Sequence, residues 1–318
     1  MLTAMTSTFT NPVYDGYFAD PFVLRVGDRY FAYGTNDADR SGRAFEILES
    51  SDLVHWRSIG RALDPVDGLD VRHHWAPEVA ERDGKYYMYF SAGVEDREHR
   101  IRLAIADRPE GPFEYDGVVL TPDEPFAIDA NPFRDDDGQW YLYYAHDVLD
   151  GERVGTSLAV DRMVDMRTLA GEARTIVRAS ADWQLFAHDR QMYGHTYDWH
   201  TVEGAHVVKR FGRYWCLYSG GAWDGPTYGV SWAVADSPLG PFTDAGTGGP
   251  ALLRTRPGEV LGPGHNSLVT TPEGADYIVY HAWDPAQTAR RMFIDRLEWT
   301  PHGPTTDGPT ITPQPMPR

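Results

Sequence analysis

Three carboxylic acids stand at comparable places in a repeating sequence: Asp20 in GYFADPF, Asp129 in IDANPFRDDDG and Glu203 in VEGAHVVKR. Taken singly, each has an ordinary reading. An aspartate before proline, as Asp20 is, commonly opens a turn by bonding its own backbone. Taken together, they are the equipment for acid–base work on an acetal. Two carboxyl groups flanking a glycosidic bond can cleave it, one protonating the leaving oxygen while the other activates water or attacks the anomeric carbon. The two roles need different pKa values. A third carboxylate beside the acid supplies the difference, because like charges a few ångströms apart resist joint ionisation.

A repeat is what would bring such distant residues together. A glycine followed by alternating aromatic and aliphatic residues recurs at Gly27 (GDRYFAY), Gly84 (GKYYMYF), Gly138 (GQWYLYY), Gly212 (GRYWCLY) and Gly274 (GADYIVY). Each reads as a turn entering a strand whose side chains alternate between two buried faces. Helical periodicity is nearly absent. The glycines are 57, 54, 74 and 62 residues apart, enough for a four-stranded blade with its loops. Two further segments, ADRPEGPFEY from Ala106 and ADSPLGPFTD from Ala235, mark one matching position in two blades. The fold class is therefore all-β, a single five-bladed β-propeller over residues 1–318, with no residues left for an accessory β-sandwich.

Equivalent positions of successive blades lie on a ring around the axis. Counting nine residues back from the later four glycines reaches Trp75, Asp129, Glu203 and His265, and seven back from Gly27 reaches Asp20. A packing ring would repeat an apolar type. Carboxylates facing one axis call for a use, because burying them costs several kcal/mol unless they are paired; an ion-binding or hydrated channel is the other reading of such a ring. Blade order makes Asp129 and Glu203 the close pair, with Glu203 kept protonated as the acid. Asp20 lies one blade further from Glu203 and becomes the base. Inverting hydrolysis needs about 6.5–9.5 Å between acid and base, against roughly 5–5.5 Å for retention.

Other residues would complete the pocket. Trp75 can offer a flat wall to a sugar face. His265 can hold a water or a metal ion, or serve as a hydrogen-bonded channel histidine. Arg290 and Arg291 point to opposite faces of a regular strand, so only one of them can reach the channel, where it would grip hydroxyls or a carboxylate.

The balance of 29 basic against 47 acidic residues, a formal charge of −18, excludes nucleic acid and anionic membrane surfaces as partners. The 18 Tyr and 10 Trp suit a neutral carbohydrate. Cys216 is the only cysteine, which excludes an intrachain disulfide or a cysteine metal cluster, and its alternating run YWCLYS makes it a core residue. The opening MLTAMTSTFT has no basic start and no long apolar stretch, the expectation of a cytoplasmic chain. Nowhere does an apolar run reach the ~18 residues of a membrane span.

At these residues the chain resembles glycoside hydrolase family 43 over essentially its whole length. ADPF, IDANPFRDDDG and VEGAHVVKR match the family pattern, as do WAPEV around Trp75, GHNS around His265 and the arginine before IDRL, best fitted by Arg290. The resemblance implies a five-bladed propeller with inverting chemistry on arabinose- and xylose-containing substrates. It implies Asp20 as general base, Asp129 as the residue tuning and orienting the acid, and Glu203 as general acid. Some members bind calcium or another central ion, which implies His265 as a possible ligand, directly or through water; no cofactor is otherwise required. Ala205 stands where the family usually has proline after Glu-Gly. The expected activity is an α-L-arabinofuranosidase acting on pentose-containing oligosaccharides, with a β-xylosidase or bifunctional enzyme as the alternative. A retaining fructosidase-like propeller and a non-catalytic sugar-binding propeller are the further alternatives.

Overall fold

The computed structural model describes residues 7–35 and 42–318; residues 1–6, part of the stretch read for a leader, lie outside them. Among the described residues, helix is confined to three 3-10 turns, Val71–His73, Asp182–Gln184 and Gly246–Gly248. None is long and apolar enough to cross a membrane. The rest of the regular structure is strand, so the fold is all-β.

All of the glycines that announce the repeat have positive φ, from 64° at Gly27 to 87° at Gly138 and Gly274, a conformation that costs a glycine little in a hairpin turn. The runs they open are the strands Arg29–Thr35, Lys85–Val94, Trp140–Val148, Arg213–Gly220 and Asp276–Trp283. Each sits second in an antiparallel meander. Their alternation sends neighbouring residues to different cores: Tyr143 packs with Val160, Val202 and Tyr218, while Tyr144 packs with Tyr89, Leu103 and Ala159. Each sheet is thus buried on both faces, with one apolar cluster between it and the next.

Three meanders are separate four-stranded sheets, starting at Ala19–Val26, His74–Arg82 and Leu261–Thr270. The other two, which start at Ala127–Arg134 and end through Thr243–Asp244, are one ten-stranded sheet, because Gly155 and Thr156 pair in parallel with His200 and Thr201. The sequence led us to expect a separate blade at each repeat. The joining is local: Gly155 has no Cβ, which would lie 1.8 Å from the His200 carbonyl oxygen, so the two backbones can meet there.

First strands of neighbouring meanders touch in cyclic order, Ala19–Val26 with His74–Arg82, that with Ala127–Arg134, then His195–Arg210, then Leu261–Thr270, which returns to Ala19–Val26. Thr8–Phe9 pairs with Gln314–Pro315, joining the two ends of the described chain. The repeated proline segments also play matching parts. Tyr33 Oη donates to the Pro109 carbonyl and Tyr143 Oη to the Pro238 carbonyl, both at 2.7 Å, each fastening one meander to the next.

Candidate active site

Every first strand carries a bulge at the same place, and each bulge opens with a residue in the left-handed region: Asp20 (φ 51°), Ala76 (47°), Asp129 (60°), Gly204 (60°) and His265 (50°). For a non-glycine residue such backbone costs on the order of 1–3 kcal/mol. A hydrogen bond offsets that cost each time. The N–H of Ala76 is accepted by Thr35 Oγ1 (2.9 Å), that of Asp129 by Ser91 Oγ (3.0 Å), that of His265 by Ser219 Oγ (2.7 Å) and that of Asp20 by His281 Nδ1 (3.1 Å). The acceptor always lies on the second strand of the preceding meander. Gly204 departs from the pattern: Ala145 occupies the acceptor's place and offers nothing, and the Asp129 carboxylate takes the N–H instead at 3.0 Å.

This register corrects the count made from the glycines. Trp75 and Glu203 precede the bulge and correspond to Ala19, Ile128 and Gly264, not to Asp129 and His265. Turn length is the cause. Two-residue turns follow Arg82 and Arg210, whereas five residues, 135–139 and 271–275, close the hairpins after Asp129 and His265. Ile128, just before its bulge, lines the same pocket as the bulge residue Asp129, and Glu203 enters that pocket from the position matching Ile128.

That pocket has a volume of about 350 Å³ and takes in Asp20, Asp129, Glu203, His265, Arg290 and Trp75. Trp75 stacks on His99 with ring centroids 3.7 Å apart and donates its Nε1–H to the Arg72 carbonyl. Arg290 and Arg291 do diverge, Arg291 reaching Asp284 at 3.1 Å and Arg290 reaching Asp20 Oδ1 at 3.2 Å. Arg290 also donates to Tyr17 Oη and lies over the Trp223 ring at 4.7 Å. On the opposite wall Phe186 and Arg190 come from the strand paired with that of Glu203, and Arg190 is tied to Asp96 at 2.8 Å.

The three acids differ in charge. Burial pushes the Asp20 carboxyl up, but Arg290 and then His265 hold it well below the usual carboxylate range. Thr35 Oγ1 donates to its Oδ2 at 2.6 Å. Asp129 is pushed up, by burial first, with His265 opposing and Asp20 reinforcing. Glu203 is pushed up to about 7, by burial first and by the Asp129 charge second. Burial therefore outweighs the neighbouring carboxylate that the sequence suggested as the source of the shift. Tyr228 Oη donates to Glu203 Oε1 at 2.7 Å.

Asp129, Glu203 and His265 each place a possible ligand atom within 4.8 Å of the others. The donor set does not suit a metal bound directly by all three. A cation on Glu203 would ionise it and remove its proton, and against the opposing effect of burial the Asp20 and Asp129 carboxyls draw His265 toward its charged form. The His265 ring lies among carboxyl groups, its Nδ1 3.5 Å from Asp20 and 3.9 Å from Asp129.

Tyr228, His281 and Thr35 were missed in the sequence. A signal for two of them was present: a polar residue ends four of the aromatic runs, Thr35, Ser91, Ser219 and His281, seven or eight positions after the glycine.

A closed cycle of antiparallel meanders, carrying in one pocket a carboxyl shifted toward the ion and another shifted toward the acid, is the equipment of a glycosidase. The family model of glycosyl hydrolases family 43 matches residues 9–304, and the chain belongs to that family. It is similar to a β-D-galactofuranosidase of Aspergillus niger, 31% identical over 95% of this chain and 86% of the relative. It is also similar to an extracellular exo-α-(1→5)-L-arabinofuranosidase of Streptomyces chartreusis, 29% identical over 83% of this chain and 79% of the relative. The solved structure of a thermostable family-43 glycoside hydrolase superposes with a TM-score of 0.84 at 34% identity, covering 98% of this chain and 99% of that one.

Proposed function

We propose that the chain is an inverting α-L-arabinofuranosidase, built on a single five-bladed propeller over residues 1–318, that releases arabinose from oligosaccharides. The observation carrying this reading is the pairing, in one pocket, of an ionised Asp20 with a protonated Glu203. Asp20 acts as the base that takes a proton from the attacking water. Glu203 protonates the leaving oxygen, and Asp129 orients it through the Gly204 N–H beside it. Arg290, Trp75 and His265 bind the glycone. The small pocket supports removal of a terminal residue, since a chain threading through would need an open groove. Relatives named as furanosidases support a five-membered sugar ring, and others named as β-xylosidases keep a xyloside as the second reading. The reaction needs water and no cofactor, and no step runs through a metal.

The test is a panel of nitrophenyl α-L-arabinofuranoside, β-D-xyloside and β-D-galactofuranoside with arabino-oligosaccharides, followed by proton NMR of the first product. Fastest turnover of the arabinoside with inverted configuration is the expected result. A retained configuration or no turnover would refute the reading, and a fastest xyloside would shift the substrate.

The pH profile follows from the same groups. Glu203 works protonated, so kcat/KM is expected to hold below neutrality and to fall as pH rises through about 7. Measured against Glu203→Gln, which cannot deprotonate, the wild-type alkaline limb should vanish.

A further inference from the structure

We propose that Tyr228 and His281 form a positioning bridge between the two reacting carboxyls, Tyr228 setting Glu203 and His281 setting Asp20. The inference rests on the acid and base roles proposed above.

Tyr228 immediately precedes the strand Gly229–Ala235, and His281 lies in Asp276–Trp283. Their rings are nearly parallel, 11° apart with centroids at 5.9 Å, within the range of favourable offset stacking. Both are buried. At one end of the stack Tyr228 Oη donates to Glu203 Oε1 at 2.7 Å. At the other, His281 Nδ1 accepts the Asp20 N–H at 3.1 Å, holding that residue in its left-handed conformation. Packing beneath the stack leaves no slack: a Cβ on Gly264 would lie 2.1 Å from Tyr228 Cε1, so only glycine permits this approach. Beyond His281, the His265 ring follows at 6.3 Å.

His281 carries a cost that packing does not repay. Accepting through Nδ1 puts its proton on Nε2, and Nε2 is buried without a partner. An unsatisfied buried donor is destabilising, and elsewhere in the ring a serine or threonine does the same accepting without it. What the imidazole adds is a flat face for Tyr228. Burial lowers its pKa to about 4, which keeps Nδ1 an acceptor near neutrality.

The bridge matters because the acid–base separation decides whether water fits beneath the sugar, and a displacement of about 1 Å can cost on the order of 10²-fold. The two ends have distinguishable signatures. Tyr228→Phe frees Glu203 alone, so kcat should fall about tenfold further on poor leaving groups than on activated nitrophenyl glycosides, with KM little changed. His281→Leu disturbs the base, and kcat should fall by about one factor on every substrate. His281→Asn, whose Oδ1 can take the place of Nδ1, should recover most of that loss. The double variant Tyr228→Phe/His281→Leu should lose less than the product of the single losses.

Wild-type turnover is measured first, and thermal unfolding confirms that each variant is folded. An inactive wild type refutes the roles of Asp20 and Glu203 and the bridge with them. With an active wild type, the bridge alone is overturned if His281→Asn is as impaired as His281→Leu, if both single variants respond alike to leaving group, or if their losses multiply.

Discussion

Glu203→Ala is expected to lower kcat/KM on arabino-oligosaccharides by about 10²–10⁴-fold, the usual worth of general acid catalysis, or about 2.7–5.4 kcal/mol of transition-state stabilisation. The loss comes from the leaving oxygen. A sugar alkoxide departs poorly without a proton, and Glu203 is the group that burial and the Asp129 charge keep protonated toward pH 7. A nitrophenolate departs without help, so the same variant should retain most of its rate on a dinitrophenyl arabinofuranoside. The variant also frees Tyr228 Oη, so Glu203→Gln, which keeps an acceptor at that place, separates the lost proton from the lost contact. Kinetics over a series of leaving groups checks the prediction. A uniform loss across the series would remove Glu203 from the acid's role.

The architecture was legible where one residue type does one local job. The turn glycines Gly27, Gly84, Gly138, Gly212 and Gly274 need positive φ and show it, and the alternating runs after them are buried on both faces. Asp20, Asp129 and His265 do occupy matching bulges. Glu203 and Trp75 were placed one residue out because counting from a glycine assumes a constant turn, and turns of two and five residues give the same aromatic pattern downstream. Nor could the merging of the third and fourth meanders be read. It depends on two backbones approaching at Gly155, a contact between strands far apart in the chain. The electrostatics were half legible. Charge partners such as Asp129 can be guessed from spacing, but the burial that dominates the Glu203 shift belongs to the folded whole. For the same reason Tyr228 escaped notice: its partners Glu203 and His281 come from other strands.

Asp20 calls for a more careful substitution, because the aspartate does more than act as base. Its backbone is left-handed at φ 51°, which asparagine tolerates better than alanine. Its carboxylate also neutralises the Arg290 guanidinium at 3.2 Å and accepts from Thr35 at 2.6 Å. Removing one partner of a buried ion pair costs about 3–5 kcal/mol, so Asp20→Ala would mix lost chemistry with lost stability. Asp20→Asn also leaves the Arg290 charge without its counterion, but it keeps the volume, the backbone and an acceptor oxygen for Arg290 and Thr35 while abolishing the base, and thermal unfolding measures the stability it loses. It is expected to lower kcat by about 10²–10⁴-fold, with KM changed far less. Unlike the acid variant, it should lose the same factor for every leaving group, because activating the water is needed whatever departs. Steady-state rates on nitrophenyl and dinitrophenyl arabinofuranosides, compared with Glu203→Gln on the same pair, make the measurement. Recovery of Asp20→Asn on the better leaving group would exchange the two assignments, and near-wild-type turnover would take Asp20 out of the chemistry.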